Sequence, residues 1–131
     1  MSQENVELVR SGYSAPEPLT MFAERSAPDV EFDFTAVYPD RPVFRGADAV
    51  RRFIETGGLW GGAIHFEPER FFDVDNKRVL VFVRATAVGQ ASGAATEARA
   101  AHEFTIRNGL LVRFKAYRDR SEALETVGLR E

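Results

Sequence analysis

The chain has 131 residues, with 17 Lys and Arg against 20 Asp and Glu and a net charge of −3. That mixed-sign, slightly acidic balance argues against a general nucleic-acid binder, which needs a basic face. No stretch approaches the roughly 20 apolar residues of a membrane span, and the absence of cysteine excludes disulfides and thiolate metal sites. The start, MSQENVELVR, is acidic and amphipathic, unlike a secretory signal. These features point to a cytoplasmic protein of one domain, residues 1–131.

Ser2 is placed to cap a first helix in which Val6, Val9 and Tyr13 share a face, with Gly12 near its end. A second short helix is expected from Ala15-Pro16, carrying Leu19, Phe22 and Ala23 inward until Pro28 stops it. Val30, Phe32 and Phe34 alternate with Glu31 and Asp33 as a short strand, and Thr35 to Arg45 reads as an irregular loop. A third helix runs from about Gly46 to Thr56, with Val50, Phe53 and Ile54 buried. Strands follow over Ile64–Val74, Lys77–Val88, Ala95–Arg107 and Leu110–Arg118. Asp119 then caps a last helix in which Ala123, Leu124 and Val127 face inward until Gly128.

Within the strand Ala95–Arg107, Ala100, His102, Phe104 and Ile106 share one face, and Arg99, Ala101, Glu103 and Thr105 share the other. The first face is expected to be buried and the second wet. A two-residue turn at Asn108-Gly109 would mix the faces of the hairpin. A three-residue loop, Arg107-Asn108-Gly109, pairs Phe104 with Val112, His102 with Phe114 and Glu103 with Arg113, and keeps the faces separate. On that register His102 points into an apolar environment. It is there either as a buried structural histidine with one partner or as a group lining a cavity.

Helices first and a strand meander afterwards make an α+β fold. The expected architecture is a cone: a strongly curved, mostly antiparallel sheet, three helices from the N-terminal side and a short C-terminal helix. Outward-facing Glu103, Arg113, Lys115 and Tyr117 are polar with one aromatic interleaved, as a wet homodimer interface would be.

The strings SQENVELVRSGY, PDVEFDF, FRGADAVRRFI, HEFTIRNGLLVRFKAYRDRSEAL and VGL span nearly the whole chain. Together they resemble the SnoaL-like polyketide cyclase family, within the wider nuclear transport factor 2-like and ketosteroid isomerase-like group. The isomerase branch implies an oxyanion-hole tyrosine at Tyr13, a general base at Asp33 and a second oxyanion donor at His102, where that branch has a protonated aspartic acid. The resemblance also implies a pocket for a small apolar or ketone-bearing molecule and dimerisation across the outer sheet face. No cofactor is expected. Proton transfer of the isomerase or cyclase type is the expected activity, with non-catalytic binding or a dimerising role as the alternative.

Each site residue also has a plainer reading. Alternation puts Asp33 with Glu31, away from Phe32 and Phe34, while the resemblance puts it in the pocket. Tyr13 is either core packing with its hydroxyl at the edge or an oxyanion donor. Phe22, Phe53, Phe82, Phe104 and Phe114 are the expected pocket lining, with Tyr38 and Trp60 in loops near the mouth. Arg84 either pairs with Asp33 or a ligand carboxylate, or is a surface arginine. The Gly57–Gly62 run follows a helix and does not suit a phosphate. His65 and His102 lack neighbours at metal-ligand spacing.

Overall fold

The two N-terminal helices are positioned by glycine and proline. In the computed structural model, which describes residues 2–37, 43–55, 64–88 and 95–129, helix α1 (Ser2–Tyr13) buries Val9 and Tyr13 on one face. The second helix, α2 (Pro18–Glu24), crosses it at Gly12, where a Cβ would lie 2.2 Å from Cε1 of Phe22. Helix α2 begins at Pro18 and not at the expected Ala15-Pro16. Glu17 precedes a proline, which disfavours helical backbone, and it is extended, with φ −129° and ψ 88°. Pro18 then occupies the first turn, where a missing N–H leaves no bond unmade.

The strands are β1 (Ser26–Asp33), β2 (Phe44–Arg45), β3 (Ile64–Asp73), β4 (Arg78–Val88), β5 (Ala95–Arg107) and β6 (Leu110–Tyr117), in the order β2-β1-β6-β5-β4-β3. Strand β1 starts at Ser26, ahead of the expected Val30, so Pro28 lies inside it. It runs parallel to β6, while every other pairing is antiparallel. Register shifts in β1, between Pro68 and Arg70, and in the β5–β6 hairpin curl the sheet. Helix α1 packs on β3 and β4, and α3 (Ala47–Glu55) packs on β1, which closes the concave face.

The hairpin register differs from the expected one. Asn108 and Gly109 have φ 53° and 76° and form a two-residue turn, with Arg107 opposite Leu110 and Ile106 opposite Leu111. Val112 is then an extra residue, and Thr105 meets Arg113. This bulge restores the separation of faces that the turn alone would have broken. His102 consequently pairs with Ala116, Phe104 with Phe114 and Glu103 with Lys115. His102 still faces inward.

The outer face of β5 stays exposed at Arg99 but is covered, not wet, at Ala101 and Glu103. Helix α4 (Arg120–Val127), capped by the Asp119 carboxylate accepting from Ser121 N at 2.8 Å, lies across it. Its Ala123, Leu124 and Val127 need an apolar surface and find Leu80, Phe82, Ala101 and Tyr117. Tyr117 is 0% and Glu103 5% exposed, and the Tyr117 hydroxyl donates to Glu103 at 2.6 Å. These two residues are therefore withdrawn from the expected dimer surface.

Gly12→Ala is expected to destabilise the protein by about 1–3 kcal/mol, because overpacking Phe22 outweighs alanine's helix preference of about 1 kcal/mol. Denaturant unfolding checks this, and an unchanged midpoint would refute the close crossing.

Candidate functional site

Tyr13 closes helix α1, and its ring lies edge-on to Phe22 with centroids 5.1 Å apart. His102 stands mid-way along β5, between Val81 of β4 and Ala116 of β6. The crossing of α1 over the sheet brings the Tyr13 hydroxyl and His102 Nδ1 to 2.6 Å, a buried hydrogen bond. Phe66 meets the imidazole edge-to-face at 4.8 Å, and Phe114 lies tilted at 4.8 Å.

Burial in this aromatic setting pushes the His102 pKa down to about 3 and raises the Tyr13 phenol well above its usual 10.0. Both groups are uncharged at neutral pH. Nδ1 is taken by Tyr13, and Nε2 makes no hydrogen bond among the described residues. No fully buried side-chain nitrogen or oxygen among them lacks a partner. His102 as a whole is 3% exposed.

Asp33 does not join the pair. Val30, Phe32 and Phe34 hold the inward positions of β1 and its end, so Asp33 points to the opposite face with Glu31. There its carboxylate accepts from Thr35 N at 2.9 Å, Thr35 Oγ1 at 2.6 Å and Arg113 Nη2 at 3.3 Å. Burial alone would raise its pKa; the Thr35 bonds and the Lys115 and Arg113 charges more than cancel that and hold it below the usual 3.8. The alternation-based placement holds, and the placement implied by the resemblance puts the carboxylate on the wrong side of the sheet. One residue of strand parity separates the two.

Phe82 and Arg84 share that outer face with Leu80. Phe82 packs under α4, against Phe72 and the Arg120 guanidinium. Arg84 pairs with Glu67 at 2.7 Å and Glu97 at 3.8 Å. Neither reaches the concave side, because Val79, Val81 and Val83 hold the inward positions of β4.

Phe22, Phe104 and Phe114 do lie on the concave side. They are at most 1% exposed and pack ring on ring, with Phe22–Phe104 at 4.7 Å and Phe104–Phe114 at 5.2 Å. Phe53 stacks on Phe44 at 4.2 Å, farther along that face. Tyr38 and Trp60 fall outside the described residues. Sequence reasoning missed Phe66 and Phe71, which flank the pair. The bulge between Pro68 and Arg70 breaks the alternation that would have revealed them.

Among the described residues no His, Cys, Asp and Glu cluster could hold a metal ion, and no helix is long and apolar enough to cross a membrane.

Residues 16–114 match the SnoaL-like domain family. The chain belongs to that family. No protein of curated function matches it. Solved structures share the fold. An NTF2-like protein of unknown function from Burkholderia pseudomallei K96243 is 21% identical, with 94% of this chain and 96% of that one covered and a TM-score of 0.72. TerC, co-crystallised with polyporic acid, is 19% identical, with 95% and 98% covered and a TM-score of 0.72. Rv0760c from Mycobacterium tuberculosis, in complex with estradiol-17beta-hemisuccinate, is 16% identical, with 87% and 92% covered and a TM-score of 0.68.

The depressed His102 pKa makes this SnoaL-like domain acid-sensitive in a defined window. Once unfolded, the imidazole regains its ordinary pKa near 6.5, whereas the folded protein holds it neutral down to about 3. The unfolded state thus binds the extra proton, and stability falls as pH drops from 6.5 towards 3. His102→Gln, which cannot titrate, should show a shallower loss, the difference approaching about 1.4 kcal/mol per pH unit. Parallel curves from denaturant unfolding at a series of pH values would contradict a neutral, buried imidazole.

Proposed function

We propose that this SnoaL-like domain binds a small, largely apolar molecule on the concave side of its sheet, with the Tyr13–His102 pair holding one polar group of that molecule. The observation that carries the reading is an uncharged, hydrogen-bonded polar pair inside an aromatic interior, with Nε2 left without a partner among the described residues. Buried polar groups in proteins are almost always satisfied, so a free ring nitrogen at that depth suits a ligand atom.

Side-chain size supports a place for the ligand. Along β5 the inward residues run from Ile106 and Phe104, fully packed, through His102 to half-buried Ala100 and exposed Ala98. Ala85 on β4 and Ala116 on β6 sit at neighbouring inward positions. Phe104 and Phe114 lie on one side of the imidazole, while on the other the small Ala85 and Ala100 accompany Phe66. The ligands named with TerC and Rv0760c, polyporic acid and estradiol-17beta-hemisuccinate, share the large apolar framework this reading expects.

Proton transfer of the isomerase or cyclase type is the second reading. The same neutral pair favours it, because hydrogen-bond donors in dry surroundings stabilise developing negative charge. A general base works best with a pKa near the operating pH, and an imidazole held at about 3 is far from that. Asp33 could supply a base only from across the sheet. A homodimer interface on the outer face falls, on this reading, to the charged strip of Glu31, Asp33, Arg113 and Lys115. A clean monomer in sedimentation at micromolar concentration would remove it.

Two variants test the site. A thermal-shift screen of ketones, lactones and polycyclic enols should yield a stabilising compound, and His102→Ala should weaken its binding by roughly tenfold, the worth of one good hydrogen bond. Unchanged affinity in that variant would overturn the reading. Asp33→Asn should leave binding intact. Loss of turnover of a bound ketone in Asp33→Asn, with affinity preserved, would promote the catalytic reading over simple binding.

A further inference from the structure

We infer that Tyr13 acts on the ligand through His102: its hydroxyl donates to Nδ1, fixes the imidazole proton on Nε2, and so presents a single N–H donor to an uncharged hydrogen-bond acceptor. This rests on the binding reading above and specifies its chemistry. It also departs from the role that the resemblance implies for Tyr13, in which the phenol itself touches the substrate.

The neutral pair has two polar hydrogens, one on the phenol and one on the imidazole, and a single 2.6 Å contact between them. If Tyr13 donates to Nδ1, the imidazole proton sits on Nε2, and Nε2–H alone is left to find a partner. If Nδ1–H donates to the phenol instead, both the phenol hydrogen and the Nε2 lone pair lack partners. Tyr13 has no second hydrogen-bond partner among the described residues, and its surroundings are the rings of Phe22, Phe71, Phe104 and His102. The second arrangement strands two polar groups in an apolar site, the first only one. The phenol hydrogen is thereby spent on the imidazole and is not available to a ligand.

The surroundings then select the ligand's polar group. Among the described residues, and apart from tyrosines, the buried polar ones are Asp33, His102 and Glu103. Asp33 and Glu103 lie on the outer face of the sheet, so of these His102 alone faces the concave side. An anion placed against Nε2 would enter without a counter-charge, and a group that can only donate would meet N–H with N–H. A carbonyl, ether or ester oxygen fits both constraints.

The tautomer and the preference can be read separately. In the protein labelled with nitrogen-15 histidine, a two-bond proton–nitrogen correlation spectrum at neutral pH should show His102 Nδ1 as the bare, pyridine-type nitrogen and Nε2 as the protonated one. Exposed His65 supplies the reference pattern. Protonated Nδ1 would overturn the proposal, and the wild-type spectrum decides this alone should Tyr13→Phe fail to fold. In folded Tyr13→Phe the two nitrogen shifts should move together as the tautomers mix; an unchanged pattern would make Tyr13 a packing residue only. For the ligand arm, 2-acetylnaphthalene should bind roughly tenfold more tightly than 2-ethylnaphthalene, with the gap closing to about twofold in Tyr13→Phe. Equal binding of the two compounds to the wild-type protein overturns the acceptor preference. If neither compound binds while Nε2 carries the proton, the binding reading fails and the hold of Tyr13 on the tautomer stands.

Discussion

A phenol and an imidazole from positions 89 residues apart in sequence share one buried hydrogen bond, and much of the architecture is arranged so that they can. Either group alone at that depth would cost about 1–3 kcal/mol for an unmade bond. Together they stay neutral and satisfy each other, tying the end of α1 to the middle of the sheet. The geometry has its own prerequisites. Helix α1 must reach Tyr13 without being pushed off by α2, which the missing side chain at Gly12 allows by admitting the Phe22 ring. Strand β5 must keep His102 inward, which the extra residue Val112 secures by correcting the parity of a two-residue turn.

Strand β5 carries a second polar pair immediately beside the first, on its other face. His102 meets Tyr13 on the concave side, and Glu103 meets Tyr117 beneath α4. The two differ in what encloses them. Glu103 has the Arg78 guanidinium at 4.0 Å and Lys115 opposite it in register, so its environment is partly cationic as well as covered. The Tyr117 phenol is pushed up by burial and by its carboxylate partner, which keeps its proton in place as a donor. That pair joins β5 to β6 beneath α4. Among the described residues the His102 pair has no ion beside it, and Nε2 has no hydrogen-bond partner. On the proposed reading, the difference between the two pairs therefore lies in their remaining valences, not in their burial.

Much of this was legible in the chain itself. Alternation in β5 was enough to turn His102 inward, because Phe104 and Ile106 leave no doubt about which face is apolar. The same rule applied to β1 placed Asp33 outward, correctly, since Phe32 and Phe34 are the stronger signal; the family resemblance drew it inward. Other features resist a linear reading for identifiable reasons. The outer face looked wet because Glu103, Arg113 and Lys115 are charged, and only the docking of α4 reveals that Ala101 and Tyr117 are core. Phe82 reads as a pocket residue although it shares parity with Leu80, because a strand buried on both sides reads as continuous hydrophobic sequence. The proline and bulge in β3 hid Phe66 in the same way. A bulge is invisible to period-two counting, and one of them suffices to invert every residue beyond it.

The environment that secures the Tyr13–His102 bond also bounds what the site can do. Excluding water strengthens a hydrogen bond from Nε2 to a ligand oxygen. The same exclusion drives the imidazole pKa to about 3, so the ring cannot accept a proton readily near neutrality. Recognition and base catalysis therefore make opposite demands on one residue. A carboxylate on the concave face would ease the conflict by offering a separate base, and β1 places Phe32 where such a group would stand, with Asp33 turned towards Arg113. On the proposed reading the balance falls on the side of holding a neutral acceptor, and moving a proton at this site would require a base other than His102 and Asp33.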